Sequence, residues 1–212
     1  MRIDHAAWPF VAVACLPVFI AAHWSVAMAI AVAVVPVCVA LFFRDPDRTS
    51  PVDASLVLAP ADGKVMHAGP ADPAYAPAGN WLQIVTFLSP LDVHINRTPV
   101  SGTVQAVSYV PGTFVPAYHH DAALNERSEI WIDHNGVTIV VRQIVGMLAR
   151  RVVCRVTPGQ TLAAGERIGL MKFGSRMDVF LPVTATIVVK PGDRTVAGES
   201  VLARLSRIEL PR

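Results

Sequence analysis

The sequence predicts a mainly β domain behind an apolar helical hairpin, and three observations predict it. From Ala6 to Phe43 the chain carries no Asp, Glu, Lys or Arg. Beyond residue 45 the apolar runs become short, rich in Val, Ile, Thr and aromatics, and no long segment of 3.6-residue period remains. Finally, Pro158-Gly-Gln-Thr-Leu-Ala-Ala-Gly-Glu-Arg-Ile168 is echoed 33 residues later by Pro191-Gly-Asp-Arg-Thr-Val-Ala-Gly-Glu-Ser-Val201.

The N-terminal stretch, residues 1–45, reads as a membrane anchor. As one straight helix, Ala6–Phe43 would run about 57 Å at ~1.5 Å per residue, against a hydrocarbon core of about 30 Å. Two crossings fit better, with the break near His23-Trp24-Ser25, where polar atoms meet an interface-seeking indole. One long tilted helix with an interfacial segment is the alternative. Pro9, Pro17 and Pro36 are tolerated as kinks in membrane helices. Arg2 precedes the stretch and Arg44 and Arg48 follow it, so the positive-inside tendency places both ends in the cytoplasm.

Residues 46–212 form the β-rich part. Strand-like runs are Leu56–Ala59, Trp81–Leu88, Gly102–Tyr109, Ser128–Ile132, Val137–Val145, Arg151–Val156, Met177–Leu181 and Ala185–Val189. Gly, Pro and Asn-Gly pairs separate them, and His134-Asn-Gly136 has the form of a two-residue hairpin turn. Each copy of the echo is a turn–strand–turn–strand unit, with Ala61-Asp-Gly-Lys-Val65 and Val100-Ser-Gly-Thr-Val104 as two further turn-to-strand segments. Such units build a lipoyl-like barrel-sandwich from half-barrel pieces.

Composition narrows the function. The net charge is +2 and no Lys/Arg run occurs, which argues against nucleic acid. Cys15, Cys38 and Cys154 show no metal spacing and an odd count, as expected in a reducing compartment. His119-His-Asp121 could ligate a metal, but no third ligand has convincing spacing, so no metal is expected.

The richest chemistry lies at Gly174-Ser175, just before an apolar run. Glycine leaves its carbonyl unshielded and lets the backbone take unusual angles. The Ser175 hydroxyl can then attack the Gly174 carbonyl, and elimination from the resulting ester gives dehydroalanine, which hydrolyses to a pyruvoyl group. His94, flanked by Val93 and Ile95, is the leading acid–base candidate, since an imidazole titrates near neutrality. Asp92 shares its strand face and is one candidate to orient it. His119 and His120 are reserve candidates on a loop over the substrate. Arg44, Arg48, Arg97, Arg127, Lys172 and Arg176 are cations near these segments, able to hold an anionic group.

Several segments recur in a telling order: Arg44-Asp-Pro-Asp-Arg48, Ala59-Pro-Ala-Asp-Gly-Lys-Val65, Phe87-Leu-Ser-Pro-Leu-Asp-Val-His-Ile-Asn-Arg97, Asn125-Glu-Arg127, Gly146-Met-Leu-Ala-Arg-Arg151, and Gly165-Glu-Arg-Ile-Gly169 leading to Phe173-Gly-Ser175. Over about residues 42 to 205 the chain resembles the short bacterial and archaeal form of the phosphatidylserine decarboxylase family. The resemblance implies a proenzyme cut between Gly174 and Ser175 into a large chain, 1–174, and a small one, 175–212. It implies a pyruvoyl group derived from Ser175 in place of pyridoxal phosphate or metal, and membrane phosphatidylserine as substrate. It places His94 in the active site and makes Asp62 the carboxylate of a Ser–His–Asp-like arrangement. His120 and Arg127 become supporting candidates. Where many relatives carry a second histidine, this chain has Arg97, which leaves the division of labour open. The implied location is the inner membrane, with the catalytic domain on its cytoplasmic face and a homo-oligomer left open. The rival reading is a membrane-anchored lipoyl- or biotinyl-like carrier or adaptor, suggested by Met171-Lys172. The acidic residue and Ala that usually precede such a Met-Lys are absent, and so is a long soluble helical hairpin.

Overall fold

The computed structural model describes residues 1–147, 152–172 and 174–206. Two compact units are present, Met1–Asp47 and Arg48–Arg212.

In the first unit, strand β1 (Arg2–Ile3) precedes a 3-10 turn (His5–Ala7), which Asp4 caps by accepting the Ala6 N–H at 2.9 Å. Helices α1 (Trp8–Trp24), α2 (Val26–Val32) and α3 (Val34–Phe42) follow, then strand β2 (Arg44–Asp45). The first helix stops at Ser25, whose backbone is extended at φ −164° and ψ 136°. A second break falls at Ala33, three residues before Pro36. Proline has no N–H for the Val32 carbonyl, so the ladder is interrupted there. Strands β1 and β2 pair antiparallel, Arg2 with Asp45 and Ile3 with Arg44, so the two ends of the apolar stretch lie side by side. By length and composition, His5–Trp24 is one helix able to cross a bilayer, whereas Val26–Phe42 is shorter.

The second unit is built from β3 (Leu56–Leu58), β4 (Gly63–Pro70), β5 (Trp81–Leu88), β6 (Ile95–Arg97), β7 (Gly102–Val110), β8 (Arg127–His134) and β9 (Val137–Val145). It continues through β10 (Val152–Cys154), β11 (Thr161–Leu162), β12 (Arg167–Met171), β13 (Ser175–Pro182), β14 (Thr186–Ile187), β15 (Arg194–Thr195) and β16 (Val201–Arg204). Eight of these strands form one curled antiparallel half-barrel in the order β11-β7-β8-β9-β13-β5-β4-β15. Two three-stranded sheets, β10-β12-β6 and β14-β16-β3, complete the unit. Asn135 (φ 53°) and Gly136 (φ 83°) make the tight β8–β9 turn, both left-handed as a twist-matched two-residue loop requires.

The echo is visible as symmetry. Its first strands, β11 and β15, close the two opposite edges of the large sheet, and its second strands, β12 and β16, are the centres of the two small sheets. Gly165 and Gly198 take φ +76° and +75°, and each donates its N–H outward, to Thr98 O and Ala59 O at 2.9 and 2.8 Å. The core lies between the half-barrel and the small sheets. Ile84, Ile130, Ile139, Val141 and Val179 fill it from the large sheet, and Ile168 and Leu202 from the small ones. Each such side chain contributes about 1.5–3 kcal/mol on burial.

Candidate active site

Ser175 is the first residue of β13, paired with Val145 of β9 on one side and Leu88 of β5 on the other. It is fully buried, and its Oγ has no hydrogen-bond partner among the described residues. A buried hydroxyl without a partner is destabilising by about 1–3 kcal/mol, so this one asks for a chemical explanation. Gly174, before it, sits at φ +77°. A Cβ built there would meet nothing within 4 Å, so backbone conformation rather than space calls for glycine. Gly146 is the opposite case: a Cβ there would collide with the Gly174 carbonyl oxygen. The carbonyl that Ser175 would attack is therefore packed directly against a Cα.

His94 lies just before β6 and is 2% exposed. Its Nε2 is 3.3 Å from the Gly174 N–H, and its Nδ1 is 2.9 Å from the Asp92 carbonyl oxygen. A backbone N–H can only donate and a carbonyl can only accept. The imidazole is thus the neutral tautomer with its proton on Nδ1 and its Nε2 lone pair on the peptide N–H next to Ser175. His94, Gly174 and Ser175 are brought together.

The carboxylates lie differently. Asp92 orients His94 through its main-chain carbonyl; its side chain accepts the Ser89 N–H at 2.8 Å and lies 3.4 Å from Arg194. Asp62 accepts from Arg48 and from the Ala197 N–H, each at 2.8 Å. Burial raises its pKa above the ordinary carboxylate value, outweighing the Ala197 N–H and Arg48, with Asp92 adding to the rise. Arg97 is buried, and its Nη1 donates to Gly165 O at 2.9 Å, bracing an echo turn.

The other side of the sheet carries the cations. Arg176 follows Ser175 and points the opposite way, holding Asp178 through two bonds of 2.6 and 2.7 Å. Burial pulls its pKa down, but the charge and hydrogen bonds of Asp178 prevail and leave it raised. Arg142 pairs with Glu129 and donates to the Tyr75 carbonyl. Burial, and then the Arg142 charge, lower the pKa of Arg127, whose Nε has no hydrogen-bond partner among the described residues. Against this face lies a cavity of about 380 Å³ lined by Gln83, Arg176, Tyr75, Tyr118, His119 and His120, among others. His120 is largely exposed, with Nε2 3.7 Å from Asp72. Ala117 also lines the cavity, and its Cβ lies 3.3 Å from where a Gly146 Cβ would stand.

Sequence reasoning passed over two features. One is this buried Arg–Glu–Asp network; the other is a bond of 2.8 Å from Gln143 to Asn96 on the Ser175 side. A polar Arg142-Gln143 pair inside an apolar strand was the available signal. Residues 148–151 of the Gly146–Arg151 segment, and Phe173, lie outside the described residues. Among the described residues no group of three or more His, Cys, Asp or Glu could hold a metal.

Comparison with known proteins identifies the family. The profile of the phosphatidylserine decarboxylase family matches residues 36–203. A phosphatidylserine decarboxylase proenzyme of Chlorobium phaeobacteroides is 42% identical over 165 residues, 77% of each chain. One of Geotalea daltonii is 42% identical over 92% of each chain, and one of Symbiobacterium thermophilum 41% identical over 96% of this chain and 95% of its own. The chain, with its buried Gly-Ser bond and the imidazole set on it, belongs to the phosphatidylserine decarboxylase family.

Proposed function

We propose that the chain is a proenzyme that cuts itself at Gly174-Ser175 and then converts phosphatidylserine to phosphatidylethanolamine. The observation that carries the reading is the Ser175 hydroxyl, buried and without a partner among the described residues, one residue after the Gly174 N–H that His94 Nε2 accepts. In the precursor, Ser175 Oγ attacks the Gly174 carbonyl carbon. The Oγ–C bond forms, the C–N bond breaks, and the hydroxyl proton passes by way of His94 to the freed Ser175 nitrogen. Loss of the Ser175 Cα proton then breaks the Oγ–Cβ bond, leaving Gly174 as a carboxylate and Ser175 as dehydroalanine. Water replaces the nitrogen, ammonia departs, and a pyruvoyl group remains.

The residues present fit that group, because Gly174 is already left-handed and Ser175 is held in a dry sheet position. The pyruvoyl carbonyl supplies the electron sink for the pair left by departing CO₂. His94 then holds or moves a proton beside the reacting carbon. Asp62 acts at one remove, through Arg48 and the Ala197 turn. Arg127, Arg142 and Arg176 outnumber Glu129 and Asp178 behind the cavity, and that excess cation suits an anionic headgroup, with His120 at the rim. The rival carrier reading loses its basis, since Met171 is buried in β12 rather than presented on a turn.

The symmetric echo supports a lipoyl-like barrel-sandwich for the second unit. The β1–β2 ladder supports a transmembrane hairpin for residues 1–45, in the inner membrane with both ends cytoplasmic. In a chain whose native cysteines are replaced by Ala, Ser25→Cys should be labelled by an impermeant thiol reagent only from the periplasmic side; labelling only from the cytoplasm rules out the hairpin. The function itself is tested by the intact mass of the purified protein. Two fragments are expected, 1–174 and a pyruvoyl-blocked 175–212, together with release of CO₂ from phosphatidylserine. A single uncut chain with full activity would refute the reading.

A further inference from the structure

Three polar atoms around the Gly174-Ser175 bond have no hydrogen-bond partner among the described residues: Ser175 Oγ, Gln143 Oε1 and Asn96 Nδ2. All three residues are fully buried. A buried polar group without a partner is a cost to the fold, and three around one bond form a pattern rather than a packing accident.

The sheet places them together. Ser175 pairs with Val145 and Met177 with Gln143, so Ser175 and Gln143 project from the same face of adjacent strands as diagonal neighbours. Backbones at that spacing are about 7–8 Å apart, within reach of a long side chain. Gln143 Nε2 donates to Asn96 Oδ1 at 2.8 Å. Asn96 lies two residues after His94, in β6. His94 Nε2, in turn, meets the Gly174 N–H. The register thus sets Gln143, with Asn96 bonded to it, on the face of the sheet from which Ser175 projects. With Gln143 Nε2 and Asn96 Oδ1 committed to each other, Gln143 Oε1 remains as an acceptor and Asn96 Nδ2 as a donor. A hydroxyl is both, so the three atoms are complementary.

We infer that the Asn96–Gln143 amide pair positions Ser175 for the acyl shift. Gln143 Oε1 accepts the Ser175 O–H, directly or through one bridging water, and aims an Oγ lone pair at the Gly174 carbonyl carbon. Asn96 Nδ2 donates to oxygen that gains negative charge as the Oγ–C bond forms. The amides gain and lose no proton; that traffic runs through His94, as above. The inference rests on the self-cleavage reading and adds two positioning residues to it.

A structural role for the pair predicts something different, and the two are separable. Gln143→Met alone strips Asn96 Oδ1 of its donor, so stability is read in the double variant, Asn96→Leu with Gln143→Met, which replaces both partners by apolar side chains. Such replacements leave folding stability equal or higher. In a Ser175→Ala background, where no cleavage can occur, the thermal midpoint of the precursor should therefore hold or rise. With Ser175 intact, pulse-chase gels should show processing slowed by about tenfold or more, the equivalent of losing one aligned hydrogen bond. Hydroxylamine, which cuts a Ser175 ester but not an amide, should not restore cleavage, because the ester does not form. Processing at the wild-type rate in Gln143→Met overturns the inference. So does rescue by hydroxylamine, which puts the block after the ester, or a fall in midpoint that parallels the slowing. An uncut wild-type chain is a different outcome, and removes the self-cleavage reading instead.

Discussion

Ser175→Ala should give a single uncut chain with no decarboxylase activity. The substitution removes the nucleophile of the acyl shift, the oxygen that leaves with Gly174, and the precursor of the electrophilic carbonyl, all in one atom. It should do so without harming the fold. Ser175 Oγ bonds no described residue, and β13 is held by backbone pairing with β5 and β9 that alanine preserves. Removing an unpartnered buried hydroxyl is expected to be neutral or stabilising. A denaturing gel, an intact mass and a thermal melt, read together, separate lost chemistry from lost structure. A cut or active variant with a normal melt would place the electrophile elsewhere.

His94→Ala should lower decarboxylation by at least about a hundredfold in any chain that still matures, the usual contribution of a positioned proton-transfer group. Maturation itself should slow, because His94 Nε2 accepts the N–H of Gly174, the residue that carries the carbonyl Ser175 would attack. Asp62→Ala should slow maturation less, since its oxygens hold Arg48 and the Ala197 N–H rather than the imidazole. Processing followed by gel, with ethanolamine-lipid formation in parallel, measures both effects. Near-normal rates of both in His94→Ala would turn attention to His119 and His120 on the cavity rim.

The long strands were legible because their β-branched runs match half-buried sheet and end at turn residues. Trp81–Leu88 and Val137–Val145 form over the predicted bounds. Ala185–Val189 shortens to Thr186–Ile187, and strands of two residues such as β11 and β15 have too little pattern to show periodicity. The echo alone marked them. Ala33 was not legible as a break, because its cause is Pro36 acting on a carbonyl one turn back. In the site, Gly174, Ser175 and His94 carried recognisable chemistry. Their immediate partners did not, for these are a main-chain N–H and a main-chain carbonyl, which any residue supplies. The Gln143–Asn96 bond joins residues 47 positions apart, and only the register of β9 against β13 reveals that it faces Ser175.

The place of β13 in the sheet has a consequence for what the proposed cut at Gly174-Ser175 would produce. This strand is the fifth of eight, hydrogen-bonded on both flanks, and the chain after it supplies β14 and β16 to a small sheet and β15 to the far edge of the large one. Severing the polypeptide at the start of β13 therefore divides the covalent chain but not the cooperative unit. The two products are interwoven like the halves of a permuted protein. Separating them would require melting the half-barrel, so the nick leaves the pair bound for the lifetime of the fold. It would create a free chain end, chemically new and sterically confined, in the interior of a structure that need not open to make it.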